Sequence, residues 1–70
     1  MNLDIRSHII NNFKGDDTSV LKDAIEESIK NNDEITLPGM GVFFELVWQK
    51  SDEDMKNKIL NILEGCVKGA

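Results

Sequence analysis

A mostly α fold, a small bundle of about four short helices with a Pro-Gly-x-Gly turn, is what this sequence predicts, and three observations carry the prediction. Apolar residues return every three or four positions in the segments 3–13, 20–29 and 55–67. Polar clusters whose side-chain oxygens suit helix starts precede the second and third of these segments. Seventy residues have the surface-to-volume ratio of one core, so the polar stretches 15–18 and 31–34 are turn-sized breaks in one domain spanning 1–70, with no linker.

From Leu3 to Phe13, Ile5, Ile9, Ile10 and Phe13 share one helical face. Gly15 follows Phe13-Lys14, where a glycine can adopt the left-handed conformation that closes a helix. Asp16, Asp17 and Thr18 then offer oxygens to the free amides of a second helix, whose dipole also favours carboxylates there. Its stripe is Val20, Leu21, Ala24, Ile25, Ser28 and Ile29, the strongest periodic signal in the chain, and Asn31-Asn32-Asp33 ends it.

The middle segment is ambiguous. Leu37-Pro38-Gly39-Met40-Gly41 reads as a turn, with Gly39 or Gly41 at positive φ, because proline removes a donor and glycine tolerates the left-handed region. Residues 42–49 are rich in strand formers. As a strand they would place Glu45 in one row with Phe43, Val47 and Gln49; as a helix they stack Gly41, Glu45, Gln49 and Asp52 into a narrow exposed stripe. Helix is the preferred reading, and an α+β arrangement with a short hairpin around residues 34–48 is the alternative. Ser51-Asp52-Glu53-Asp54 then opens the last helix, Ser51 as cap with Asp54 three residues on, and the helix is expected from about Asp52 to Glu64. The expected core unites Ile9, Ile10 and Phe13 with Leu21, Ile25 and Ile29, and with Phe44, Trp48, Ile59 and Leu63, Trp48 at its centre.

With 40% hydrophobic and 30% charged residues, the composition is that of a folded chain rather than a disordered one. The net charge of −5 disfavours nucleic acid as a partner, since phosphate carries the same sign. No apolar run approaches the roughly 18 residues of a bilayer span, and Met1 to Arg6 lacks the pattern of a secretory signal, so no membrane association is expected. The single cysteine, Cys66, cannot form an internal disulfide and reads as a half-buried packing thiol, which fits a reducing compartment.

The chain is expected not to be an enzyme: catalytic, cofactor-binding and metal-binding residues are all read as none. Its one imidazole, His8, sits off the apolar stripe of the first helix as an exposed or boundary residue. One Cys and one His cannot make a structural zinc site, and Asp52-Glu53-Asp54 lacks the spaced oxygens of a calcium loop. Gly39-Met40-Gly41 has neither a following Lys-Ser or Lys-Thr pair nor a third glycine, so it binds no nucleotide. Phe43, Phe44 and Trp48 could stack on bases, but only Lys50 flanks them, and they read more simply as core mass.

The segment Leu37-Pro38-Gly39-Met40-Gly41-Val42-Phe43-Phe44-Glu45-Leu46-Val47-Trp48-Gln49 closely resembles the central motif of the small, acid-soluble spore protein I family. The opening Leu3-x-Ile5-Arg6 with Ile9, the turn after Gly15, Ser51-Asp52-Glu53 and the closing Leu63-Glu64-Gly65 fall at family-like spacing, with Leu37, Pro38, Gly39, Gly41, Phe44, Glu45 and Trp48 as the structural motif residues. The resemblance implies a minor, non-enzymatic protein of the dormant spore core of endospore-forming Firmicutes, made in the forespore cytoplasm. It would be a structural or stress-related constituent with no established biochemical activity; its partner is unknown, a homo-oligomer or a spore-core protein being the open choices. The major α/β-type spore proteins, which coat DNA, are a different family whose signatures are absent. A local likeness to histone-like architectural proteins in Gly39-Met40-Gly41-Val42-Phe43 makes a DNA-associated module the alternative, though no basic arm is present.

Overall fold

The computed structural model describes residues 4–69, and within them the chain forms four α-helices joined by short turns. These are α1 (Ile5–Phe13), α2 (Thr18–Lys30), α3 (Leu37–Lys50) and α4 (Glu53–Lys68), with one 3-10 turn at Glu34–Thr36 leading into α3. No strand occurs among the described residues, so helix is the outcome for residues 42–49 and the hairpin alternative is excluded. Leu3, the expected start of the first helix, lies outside the described residues.

Three of the four helix starts are closed by an aspartate. Asp4 Oδ1 accepts from the Ser7 amide at 3.1 Å, Asp17 Oδ1 from the Ser19 and Val20 amides at 3.1 and 3.2 Å, and Asp52 Oδ1 from the Met55 amide at 2.8 Å. Asp52, not Ser51, therefore caps α4. Ser51 belongs to the preceding helix, where its hydroxyl donates to the Val47 carbonyl at 2.6 Å and its amide to Trp48 O at 3.2 Å. The last helix also runs past the expected Glu64, through Gly65 to Lys68, because a lone glycine in a helix costs only about 1 kcal/mol and the helical bonds continue across it.

The glycines do not terminate helices by positive φ. Gly15, Gly39 and Gly41 all have other conformations, and the one positive φ among the described residues is Asn32, at 49°. Asn32 closes α2: its amide donates to Ile29 O at 3.2 Å and the Asp33 amide to Ser28 O at 3.3 Å, the paired bonds of a left-handed helix terminus. Asparagine tolerates this conformation better than other residues with a Cβ. After Phe13 the chain instead leaves through Lys14 in right-handed geometry, with the Asp16 amide donating to Phe13 O at 3.0 Å.

Proline at the start of a helix loses nothing, because the first amides have no intrahelical acceptor. Pro38 sits in the first turn of α3, so the expected Pro-Gly-x-Gly turn is the opening of that helix. The core differs from expectation in the same region. Val42, 6% exposed, is the one buried residue among those described, and Ile9, Phe13, Leu21, Ile25, Phe43, Leu46, Trp48 and Ile59 are half-buried around it. Ile10, Ile29, Phe44 and Leu63 are exposed, as is Cys66, and Trp48 lies at the edge rather than the centre. The reason is geometric: three short helices spread around α3 cover one strip of each apolar stripe, and the residues at the stripe edges stay in water.

Val42→Ala is expected to cost about 2 kcal/mol, the transfer of two carbons plus a residual cavity, measured by denaturant unfolding. An unchanged melting temperature would remove Val42 from the core.

Candidate functional site

The motif residues converge on α3, whose faces meet different parts of the chain. Towards α1, Gly39 lies under Ile9: a Cβ at position 39 would stand 3.1 Å from Ile9 Cδ1. One turn on, Phe43 meets Phe13 edge to face with ring centroids 5.2 Å apart. Further along α3, Arg6 Nε donates to both carboxylate oxygens of Glu45, at 3.0 and 2.8 Å. Three contacts of different chemistry, steric, aromatic and ionic, therefore fix the two helices against each other.

Glu45 is the sole ionisable residue from Leu37 to Gln49. It does not belong to a free solvent stripe as the spacing suggests; its side chain is 35% exposed and turned to Arg6, itself 66% exposed. Sequence reasoning missed this pair, although a lone charge in an otherwise apolar helix is a signal that a partner should be sought. Both members are accessible to water, so the pair orients the helices more than it stabilises them.

Other motif residues point elsewhere. Trp48 stacks at a tilt on Phe44, centroids 5.9 Å apart, and Lys56 of α4 places Nζ 5.3 Å from the Trp48 ring, so the indole links α3 to the last helix through a cation–π contact. Leu37 and Gly41 are exposed, and Phe44 is 49% exposed. Between α1, α2 and α3 the helices leave an open apolar recess of about 320 Å³, lined by Ile9, Phe13, Leu21, Ile25, Phe43 and Leu46 among others. The 3-10 turn is fastened to the end of α2 by the hydroxyls of Ser28 and Thr36, and by Asp33, whose Oδ1 accepts from the Ile35 amide at 3.0 Å.

The groups with chemical potential are not brought together. His8 is exposed on α1, its Nε2 3.3 Å from the Asn12 amide nitrogen, while the free thiol of Cys66 is exposed on α4. Among the described residues no group of three or more His, Cys, Asp or Glu side chains is arranged to hold a metal ion, and no helix is long and apolar enough to cross a membrane. Gly39, Glu45 and Trp48 thus form a packing hub through which α3 receives the other elements, while the motif residues Leu37, Gly41 and Phe44 are exposed.

Two substitutions separate the glycines. At Gly41 nothing lies within 4 Å of an added Cβ and the backbone is helical, so Gly41→Ala should raise stability by about 0.5–1 kcal/mol. Gly39→Ala carries the same helical benefit but forces Ile9 aside, and should gain less or lose stability; equal gains for both in urea titrations would show that Ile9 does not press on α3.

No solved structure matches the chain significantly. The family model described as small, acid-soluble spore protein I matches residues 3–67. The chain is 40% identical over 70 residues to the small, acid-soluble spore protein I of Bacillus subtilis, covering 100% of this chain and 99% of that protein. It is 39% identical over 70 residues to the protein of the same name in Bacillus velezensis, with the same coverage, and 38% identical over 68 residues to that of a Geobacillus species, covering 97% of this chain and 96% of the relative. With the hub of α3 lying inside the matched span, the chain belongs to the small, acid-soluble spore protein I family.

Proposed function

We infer that this protein is a minor constituent of the dormant spore core, made in the forespore cytoplasm, with a structural or stress-related role and no chemical step of its own. The observation that carries the reading is the match over nearly the whole chain to relatives named as acid-soluble spore proteins. Supporting it, the residues with catalytic potential stand apart and the motif is used for packing. A DNA-associated role is the weaker reading, since the chain carries −5 and its aromatic cluster has Lys50 and Lys56 as basic neighbours rather than a basic stripe. In a gel retardation assay at physiological salt the protein should give no salt-sensitive shift. Acid extracts of purified spores should contain it and extracts of growing cells should not; the reverse distribution would overturn the spore assignment.

Behaviour in acid follows from the side chains. Protonating the thirteen carboxylates leaves eight Lys and Arg and one His, a side-chain charge of +9. The Asp4 carboxyl is held below its usual value by the Ser7 hydroxyl and amide, and Asp17 by the Ser19 hydroxyl and the amides of Val20 and Ser19. A depressed folded value means that the stability each cap adds is fully present above the unfolded value near 4 and is lost as pH falls through the folded value. The helix starts of α1 and α2 should therefore loosen between about pH 4 and 2, seen by circular dichroism, while light scattering stays flat because the positive charge blocks aggregation. Precipitation at pH 2 without added salt would refute the charge argument.

A further inference from the structure

We propose that the chain pairs with a second copy of itself through the outer face of α4, the two helices running antiparallel. Its surface is the first ground. A monomeric protein of 7.9 kDa is expected to expose about 4,400 Å², whereas this chain exposes 6113 Å², an excess of about 1,700 Å². Each partner of a permanent homodimer buries about 1,000–2,500 Å², which brackets that excess. The radius of gyration, 13.6 Å against about 11 Å for a compact chain of this length, departs in the same direction.

The location comes from α4 itself. Met55, Ile59, Ile62 and Cys66 follow spacings of four, three and four, the repeat of a helix–helix seam. Ile59 is half-buried, whereas Met55, Ile62 and Cys66 are exposed, Ile62 at 69%. The exposed members of this seam, Met55, Ile62 and Cys66, lie to one side of Lys56, which faces Trp48, and Ile59 borders the core, so pairing there adjoins the α3–α4 contact without displacing Lys56.

Charge selects the direction. The start of the helix carries Asp52, Glu53 and Asp54, whereas Lys68 of the last turn pairs with Glu64 at 3.6 Å and leaves that end near neutral, so a parallel pair would set the acidic ends together in a chain already at −5. An antiparallel pair sets each acidic end beside the Lys68 end of the other copy and opposes the helix dipoles. Centred between Leu60 and Asn61, it places Met55 opposite Cys66 and Ile59 opposite Ile62 in each direction.

Light scattering with a micromolar dilution series tests the state: twice the 7.9 kDa of one chain is expected, and a mass of one chain throughout overturns the proposal. Ile62→Lys, at a position outside the core, should give the one-chain mass with helicity retained by circular dichroism; a dimer that survives it would place the interface elsewhere and refute the α4 seam. Met55→Cys tests the register. Positions 55 and 66 on one helix are about 16 Å apart, too far for a disulfide, so oxidised Met55→Cys should form a covalent dimer only between copies. In the antiparallel register Cys66 is remote from its own counterpart, and the unsubstituted protein should remain uncrosslinked under the same oxidation. Ready Cys66–Cys66 crosslinking would overturn the antiparallel pairing.

Discussion

Ile9 can rest directly on the backbone of α3 because position 39 has no Cβ, and this close approach of α1 sets where everything else lies. It brings Phe13 to the edge of Phe43 and carries Arg6 within reach of Glu45, so one steric allowance is read out along the helix as an aromatic and then an ionic contact. Val42 lies one turn from Gly39 and is covered as a consequence. The remaining helices attach to an axis already defined: α2 through the 3-10 turn and the half-buried side of its stripe, α4 through Trp48 and Lys56.

That axis explains a fold with little deep burial. A 70-residue chain that distributes its apolar stripes among four short helices cannot enclose all of them, and each stripe keeps an exposed edge. The helix starts are accordingly built from local hydrogen bonds rather than from packing. Asp4, Asp17 and Asp52 satisfy amides that no neighbouring element reaches. The caps at Asp4 and Asp17 are governed by protonation, which couples local order to acidity while the total charge governs dispersal. The two properties have separate origins, one in two aspartates and the other in the whole surface.

The residues from Leu37 to Trp48 acquire a physical meaning in this arrangement. Pro38 starts α3, Gly39 admits α1, Glu45 orients it, and Trp48 receives α4. Leu37 and Gly41 are exposed, and Phe44, which stacks on Trp48, keeps about half of its surface in solvent. Contacts of this kind hold a shape.

Helix number, the order of the elements and the capping role of Asp17 were legible in the sequence, because periodicity and short-range hydrogen bonding are properties of neighbours along the chain. So was the helical reading of residues 42–49, where the position of Glu45 outweighed the strand-forming residues around it. The family was legible too, in Leu37 to Gln49 together with Leu3-x-Ile5-Arg6, Ser51-Asp52-Glu53 and Leu63-Glu64-Gly65 at family-like spacing. Tertiary structure decided the rest. Pro-Gly-x-Gly has the composition of a turn, and it is helical because proline costs nothing in a first turn and Gly39 accepts the side chain of Ile9, a residue thirty positions away. Ser51 and Asp52 are both competent caps, and the exit of α3 assigned the serine to one helix and the aspartate to the next. Which edge of each apolar stripe is covered, and that Arg6 finds Glu45, depend on how far the helices are rotated and offset against one another. Those are distances between residues remote in sequence, and no local pattern carries them.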